Sequence, residues 1–399
     1  MPAPVNTKRR SWRARNSLKR ADMRRILAVA QGEQDFYPGA CFNYHTEMTI
    51  LTTCIGAYPK PDYIEIGNFA ETEEQDAGIT RAFIYTQGNA DQVADNLLVD
   101  ATRAAIEDQL ACGIDIPTDG EQRRENYIHY HCRNLAGIDF VNLTNKVHRN
   151  GAAVADLPTI NARIEPRGNH FLDRDYKLAQ QFSDKPIKLT VPGPLSIIDT
   201  TANSFYKTER ELAFDLADAL NYEIRALADA GCMYIQVDEP LFVRKVDDAL
   251  AFGVECLDRC FDGIDAGVTR VMHMCCGYPG HVDDDDYLKA DPDCYFQLAR
   301  AVDGSSVDQI SIEDAHCLND LTLLEHFRQS AVILGVVTIA NSRVESADYI
   351  QQRLQSALQH IDENRLLAAP DCGLMMLGRE LAMSKLANMC RAARAIDRA

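Results

Sequence analysis

The sequence predicts an α/β protein: a single (β/α)₈ TIM barrel with an insertion after the second strand. Three observations carry this. From about residue 50 onward, short β-rich runs alternate with helical patterns. Most of these runs are nearly continuous in apolar residues, as expected of parallel strands covered on both faces. There are eight of them, the number that closes such a barrel.

The strand runs are 51–56 (LTTCIG), 114–118 (IDIPT), 187–191 (IKLTV), 233–238 (MYIQVD), 270–275 (RVMHMC), 308–312 (DQISI), 331–337 (AVILGVV) and 366–369 (LLAA). Helical stretches at 92–112, 209–230, 346–362 and 379–396 fall between or after them. The stretch at 209–230 stops before Gly231, a natural helix C-cap. Residues 120–186 are too long for one crossover and show little periodicity, so they are expected to form an insertion over the barrel mouth, including a small hairpin. The chain thus reads as a basic arm over 1–48 followed by the barrel over 49–399.

Composition narrows the function classes. No run of eighteen apolar residues exists, so no membrane-spanning helix is expected. Nine Lys and Arg crowd residues 8–25 against the single Asp22. Setting these ten aside leaves 32 basic against 58 acidic residues, an excess that repels nucleic acid and anionic membrane. The arm reads as a solvated leader, with targeting or partner contact as alternatives. Thirteen cysteines without a visible export signal point to reduced thiols or metal ligands in a cytoplasmic setting rather than disulfides. The acidic run at 283–286 reads as a solvated loop.

In a barrel, chemistry sits at the C-terminal strand ends. His273 and Cys275 close the fifth strand two residues apart, hence on one face. Glu313 follows the sixth strand and Cys372 the eighth. An imidazole, two thiolates and a carboxylate suit tetrahedral zinc, and the sulfur ligands argue against magnesium or calcium. Cys276, Cys317, His316 and His281 lie nearby with less favourable direction or position. A second group is acidic. Asp238 and Glu239 end the fourth strand, and Asp119 and Glu121 follow the second. Such carboxylates could hold an ammonium group or act as general acids or bases; Asp238 or Glu239 could instead pair with Arg123 or Arg124.

The motifs TTCIGAYP, GIDIPTDGEQRR, VPGPLSI, IQVDEP, HMCCG, ISIED and PDCGL, in this order from about Leu51 to Ala393, resemble the catalytic half of cobalamin-independent methionine synthase. The resemblance implies zinc on His273, Cys275, Glu313 and Cys372. It implies that Glu121 and Asp238 hold the amino group of homocysteine, and that the backbone at Ile55, Gly56 and Ala57 holds its carboxylate end. Departures accompany it. About fifty residues precede the first strand, so the family's additional folate-binding barrel is expected to be missing. The family's folate-stacking Trp falls at Thr200, its acid and His after the seventh strand at Thr338 and Ala340, and its usual Ser in the first motif at Ala57. A folate nitrogen needs a proton to leave. The expectation is therefore a methyltransferase that methylates homocysteine or another small thiol from a non-folate donor, such as a corrinoid or corrinoid protein. The alternative joins a coenzyme M-like thiol to an epoxide or other electrophile. A decarboxylase of the uroporphyrinogen type and a non-catalytic zinc protein are further alternatives.

Overall fold

The computed structural model describes residues 50–64, 92–148, 153–276, 281–284, 290–291 and 293–396. The basic arm and residues 285–286 of the acidic run lie outside them. In chain order the strands are β1 (Leu51–Thr52), β2 (Leu135–His148), β3 (Ala153–Pro166), β4 (Lys188–Pro192), β5 (Ala202–Asn203), β6 (Tyr234–Asp238), β7 (Thr269–Met274), β8 (Gln309–Ile312), β9 (Ala331–Val337) and β10 (Leu366–Pro370).

Seven of these strands form one parallel sheet in the order β1-β10-β9-β8-β7-β6-β4. The expected second strand, 114–118, is not a regular strand. It contributes only two parallel bridges, Thr53 to Ile116 and Thr118 to Lys188, yet these join the two edges of the sheet. The contraction has a local cause. Pro117 carries no N–H for a ladder, and side chains substitute for rungs: Thr52 Oγ1 donates to Asp115 Oδ2 at 2.8 Å and Thr118 Oγ1 to the Gly56 carbonyl at 2.8 Å. Strand one is likewise shorter than expected.

Packed around the sheet are α1 (Gln92–Cys112), α2 (His129–Cys132), α3 (Leu172–Gln180), α4 (Pro194–Asp199), α5 (Glu209–Asp229), α6 (Val254–Cys260), α7 (Asp293–Asp303), α8 (Ala347–Ala357) and α9 (Arg379–Arg394). α5 shows why such segments are helical. Thr208 caps it by accepting from the Glu211 amide, acids fill its first turn, and Leu212, Leu216, Leu220, Ile224 and Leu227 recur on its buried face. Each fully buried Leu or Ile contributes about 1.5–3 kcal/mol. A second apolar layer, Ile55, Ile116, Val271, Ile333, Leu367 and Ala369, packs together from alternate positions of the strand segments.

The insertion is larger than the expected small hairpin. β2 and β3 are fourteen residues each and antiparallel, with two register shifts, and β5 adds a short parallel edge. α8 ends at Ala357, well short of the predicted 362, because the chain turns at Leu358–His360. Among the described residues no helix is long and apolar enough to cross a membrane, and none of the twelve cysteines described forms a disulfide.

Candidate functional site

A cavity of about 470 Å³ opens at the C-terminal strand ends. The turn after β1 supplies Ile55, Gly56 and Ala57. The segment after Thr118 supplies Glu121 and Tyr127. The ends of β6, β7 and β10 supply Asp238, His273 with Cys275, and Cys372.

His273, Cys275 and Cys372 converge from strands far apart in sequence. Their ligand-bearing atoms all lie within 4.8 Å of one another, and all three residues are buried. The two Sγ atoms are 3.4 Å apart. His273 Nδ1 hydrogen-bonds Ser311 Oγ at 2.9 Å, which orients the ring, while its Nε2 is buried without a hydrogen-bond partner. A buried, orphaned imidazole nitrogen beside two thiols is a donor set that a soft-tolerant divalent cation such as Zn²⁺ satisfies.

The fourth predicted ligand, Glu313, stands in a different group, with His316 and Asp371. Its Oε2 accepts from the Cys276 amide at 2.9 Å, one residue beyond Cys275. Asp371 accepts from three successive amides, of Asp314, Ala315 and His316, and from His316 Nδ1 at 2.6 Å. His316 Nε2 in turn accepts from the Ala340 amide at 3.4 Å. With both ring nitrogens engaged and Asp371 so fully bonded, this second group ties the ends of β7, β8, β9 and β10 together. Gly335 makes it possible: a Cβ there would lie 2.1 Å from Asp371 Oδ1.

The acidic residues separate into two roles. Glu121 adopts φ +54°, a left-handed conformation uncommon outside glycine. Its amide donates to Asp119 Oδ1, while its carbonyl accepts from the Arg124 amide and from Lys60 Nζ. The turn delivers the carboxylate against Gly56, where a Cβ would sit 2.6 Å from Oε1. Oε1 accepts from Thr190 Oγ1 at 2.7 Å and from Arg124 at 3.3 Å. Burial raises the Glu121 pKa, against the pull of Arg124. Asp238 accepts from Gln236 Nε2 at 2.7 Å, which also donates to the Ile55 carbonyl at 2.7 Å. Burial, opposed by His273 and reinforced by Glu121, lifts its pKa to about 7. Glu239 points away and accepts from the Leu195 and Ser196 amides and Ser196 Oγ at the start of α4. Neither Asp238 nor Glu239 pairs with arginine among the described residues. Arg124 pairs with Glu121, and Arg123 with Asp95 and Asp175.

The positions of family departure are also placed. Thr200 Oγ1 donates to the Ser196 carbonyl at the end of α4. Thr338 donates twice to Glu345, which is buried against Lys385 at 2.9 Å. Cys317 donates to the Glu313 carbonyl, and exposed His281 meets the Val282 carbonyl. Sequence reasoning missed Tyr127 and Met375, which line the cavity from loops without periodicity, and Asp371. The isolated glycine in AVILGVV was a usable sign of close backbone approach.

Comparison with known proteins bears on this geometry. Residues 50–395 match the family model described as cobalamin-independent synthase, catalytic domain. The methionine synthase of Thermococcus kodakarensis is 30% identical, the alignment covering 88% of this chain and 95% of that protein. That of Sulfolobus acidocaldarius is 29% identical, covering 86% and 92%. Among solved structures, a B12-independent methionine synthase from Shewanella sp. W3-18-1, in complex with selenomethionine, superposes with a TM-score of 0.75 at 26% identity, covering 87% of this chain and 97% of that one. A second structure, from Listeria monocytogenes, shares the fold at a TM-score of 0.64 and 18% identity, covering 88% and 98%. With the match running through the barrel and across all the strand ends that line the cavity, the chain belongs to the cobalamin-independent methionine synthase family and is a methyltransferase of the homocysteine methyltransferase type.

Proposed function

We propose that the protein methylates the thiol of homocysteine, with zinc held by His273, Cys275 and Cys372, from a donor other than a folate. One observation carries the reading: the thiol–imidazole cluster and two carboxylates, Glu121 and Asp238, line the same cavity. An amino-acid thiol has ends to match. Its ammonium suits Glu121 and Asp238 as charge-assisted acceptors. Its carboxylate suits the amides of Gly56 and Ala57, which donate no hydrogen bond among the described residues. Its sulfur is then directed toward the cluster. Catalytic zinc commonly keeps three protein ligands and one exchangeable position. Bound there, zinc would hold the acceptor as a thiolate at neutral pH. Glu313, hydrogen-bonded by the Cys276 amide, stands beside this set as a carboxylate for the fourth position when no thiol occupies it. The selenomethionine in the Shewanella structure, an analogue of the expected product, supports an amino-acid ligand.

The donor side supports a leaving group that departs without a proton. Thr200 is turned into its own helix, and Ala340 offers only a backbone amide, given to His316. Glu345 is neutralised by Lys385. A corrinoid leaving as Co(I), alone or on a carrier protein, or a sulfonium meets this condition; a folate nitrogen does not. A coenzyme M-like acceptor is disfavoured, since it carries no ammonium to meet Glu121 and Asp238 and would leave both buried carboxylates uncompensated. The test compares methionine formation by the zinc-loaded protein from homocysteine and equal concentrations of methyltetrahydrofolate, methylcobalamin and S-adenosylmethionine. Faster turnover with the corrinoid or the sulfonium is expected. Fastest turnover with the folate would overturn the donor, and no methionine from any of them would overturn the acceptor.

A further inference from the structure

A second, smaller cavity of about 290 Å³ adjoins the first, sharing Ala57, Glu121, Tyr127 and Met375 with it and adding Lys60, Arg124 and Glu125. Its charged groups are unequally engaged. Arg124 is ion-paired with two carboxylates, Glu121 at 3.3 Å and Asp119 at 3.8 Å, and donates to Thr190 Oγ1 at 2.8 Å. Glu125 is paired with Arg133 at 3.2 Å. Lys60 Nζ donates one hydrogen bond, to the Glu121 carbonyl at 3.1 Å, and has no carboxylate within ion-pairing distance among the described residues. An ammonium carries three donors, so two remain. Four and three residues before it, the Gly56 and Ala57 amides are also without acceptors among the described residues. Ala57 lies on the wall common to both cavities, so a ligand whose ammonium meets Glu121 can present a carboxylate to these amides and to Lys60 together.

The geometry points to Lys60 as a specificity-determining residue that receives the α-carboxylate of the amino-acid acceptor. The inference rests on the homocysteine reading above. It adds a cationic contact where the turn after β1 would otherwise offer only neutral amides, and makes recognition three-point: ammonium at Glu121 and Asp238, sulfur at the thiol–imidazole cluster, carboxylate at Lys60. Burial lowers the lysine pKa, to about 8, which leaves it mostly charged at pH 7. A thiol lacking the carboxylate forfeits this contact but keeps the other two.

The experiment measures binding and methyl transfer for homocysteine and for 3-mercaptopropylamine, which is homocysteine without its carboxylate, using the full zinc-loaded chain. In the unaltered protein homocysteine should bind on the order of ten- to a hundredfold more tightly. Lys60→Met should remove most of that advantage by weakening homocysteine alone, raising its KM while leaving kcat, zinc content and the affinity for 3-mercaptopropylamine unchanged. Lys60→Arg should restore most of it. Equal weakening of both thiols would mean that Lys60 only supports the Glu121 carbonyl, and would overturn the inference. Unchanged discrimination in Lys60→Met would overturn it too. Failure of the unaltered protein to bind homocysteine would overturn the underlying reading, and the inference with it, a result visible before any variant is made.

Discussion

Two groups of three metal-ligating side chains stand side by side at the barrel mouth, and interatomic distance alone does not separate them. In Glu313–His316–Asp371, Asp371 accepts four hydrogen bonds and both nitrogens of His316 are engaged. In His273–Cys275–Cys372, the imidazole Nε2 is buried with no hydrogen-bond partner. In the first group Asp371 and His316 are complete as protein; the second has a donor atom still to be satisfied. Ligand-like spacing therefore says little until the hydrogen bonds of each ligand atom have been accounted for.

The largest effect should come from dismantling the unsatisfied group. His273→Ala and Cys372→Ala should shed nearly all zinc on dialysis, read by metal analysis, with loss of methyl transfer. His316→Asn should keep the metal, with affinity lower by about tenfold to a hundredfold at most. If His316→Asn sheds zinc as completely as His273→Ala, the distinction between the groups collapses.

The satisfied group should instead be felt in stability. In Gly335→Ala the new methyl would lie 2.1 Å from Asp371 Oδ1 and 2.9 Å from its Cα, with little that can rotate away. A loss of about 3 kcal/mol in denaturant unfolding is expected. In Gly56→Ala the close atom is the end of the Glu121 side chain, so stability should change less while homocysteine binding weakens.

The adjacent pair Asp238 and Glu239 repeats the contrast on a smaller scale. Asp238→Asn should weaken homocysteine binding by about 1.5–3 kcal/mol without metal loss. Glu239→Gln should lower stability by about 1–3 kcal/mol, because the amides at the start of α4 and Ser196 Oγ lose one of the two carboxyl oxygens that accept from them, with binding little changed. Calorimetry on both variants decides whether neighbouring carboxylates divide in this way.

The smallest effect is a pH dependence. Asp238 titrates near pH 7 in the metal-free protein, and only its carboxylate attracts an ammonium. Methionine affinity of the metal-free protein should therefore be level above pH 7 and fall as pH drops, by about tenfold per unit where only the ionised form binds. Asp238→Asn should flatten the profile. Zinc should move the midpoint to lower pH by favouring the carboxylate.

The long apolar strands were legible in the sequence because burial on both faces leaves a continuous signature, and β9 falls on its predicted residues. The segment 114–118 was correctly located but not its pairing, because proline and side-chain hydrogen bonds replace the ladder. The strand-end positions of His273, Cys275 and Cys372 were readable from parity and order. The bond of Glu313 to the Cys276 amide was not, since the two residues lie 37 apart in sequence. His316 and Asp371 are 55 residues apart, and no local pattern signals their contact. Lys60 follows a proline in a turn, where no periodicity points a side chain anywhere.

The two bridges that join the sheet edges give the barrel a seam. Strands such as β9 and β10 or β4 and β6 are laced by five paired positions and β1 and β10 by two, but at 114–118 each side has a single one. Backbone amides along the seam should exchange with solvent faster than those of β6 to β9, since fewer bonds must part to expose them. Glu121 is anchored three residues beyond this seam, so the wall of the barrel that is least tightly laced is the one from which the acceptor's amino group would be received.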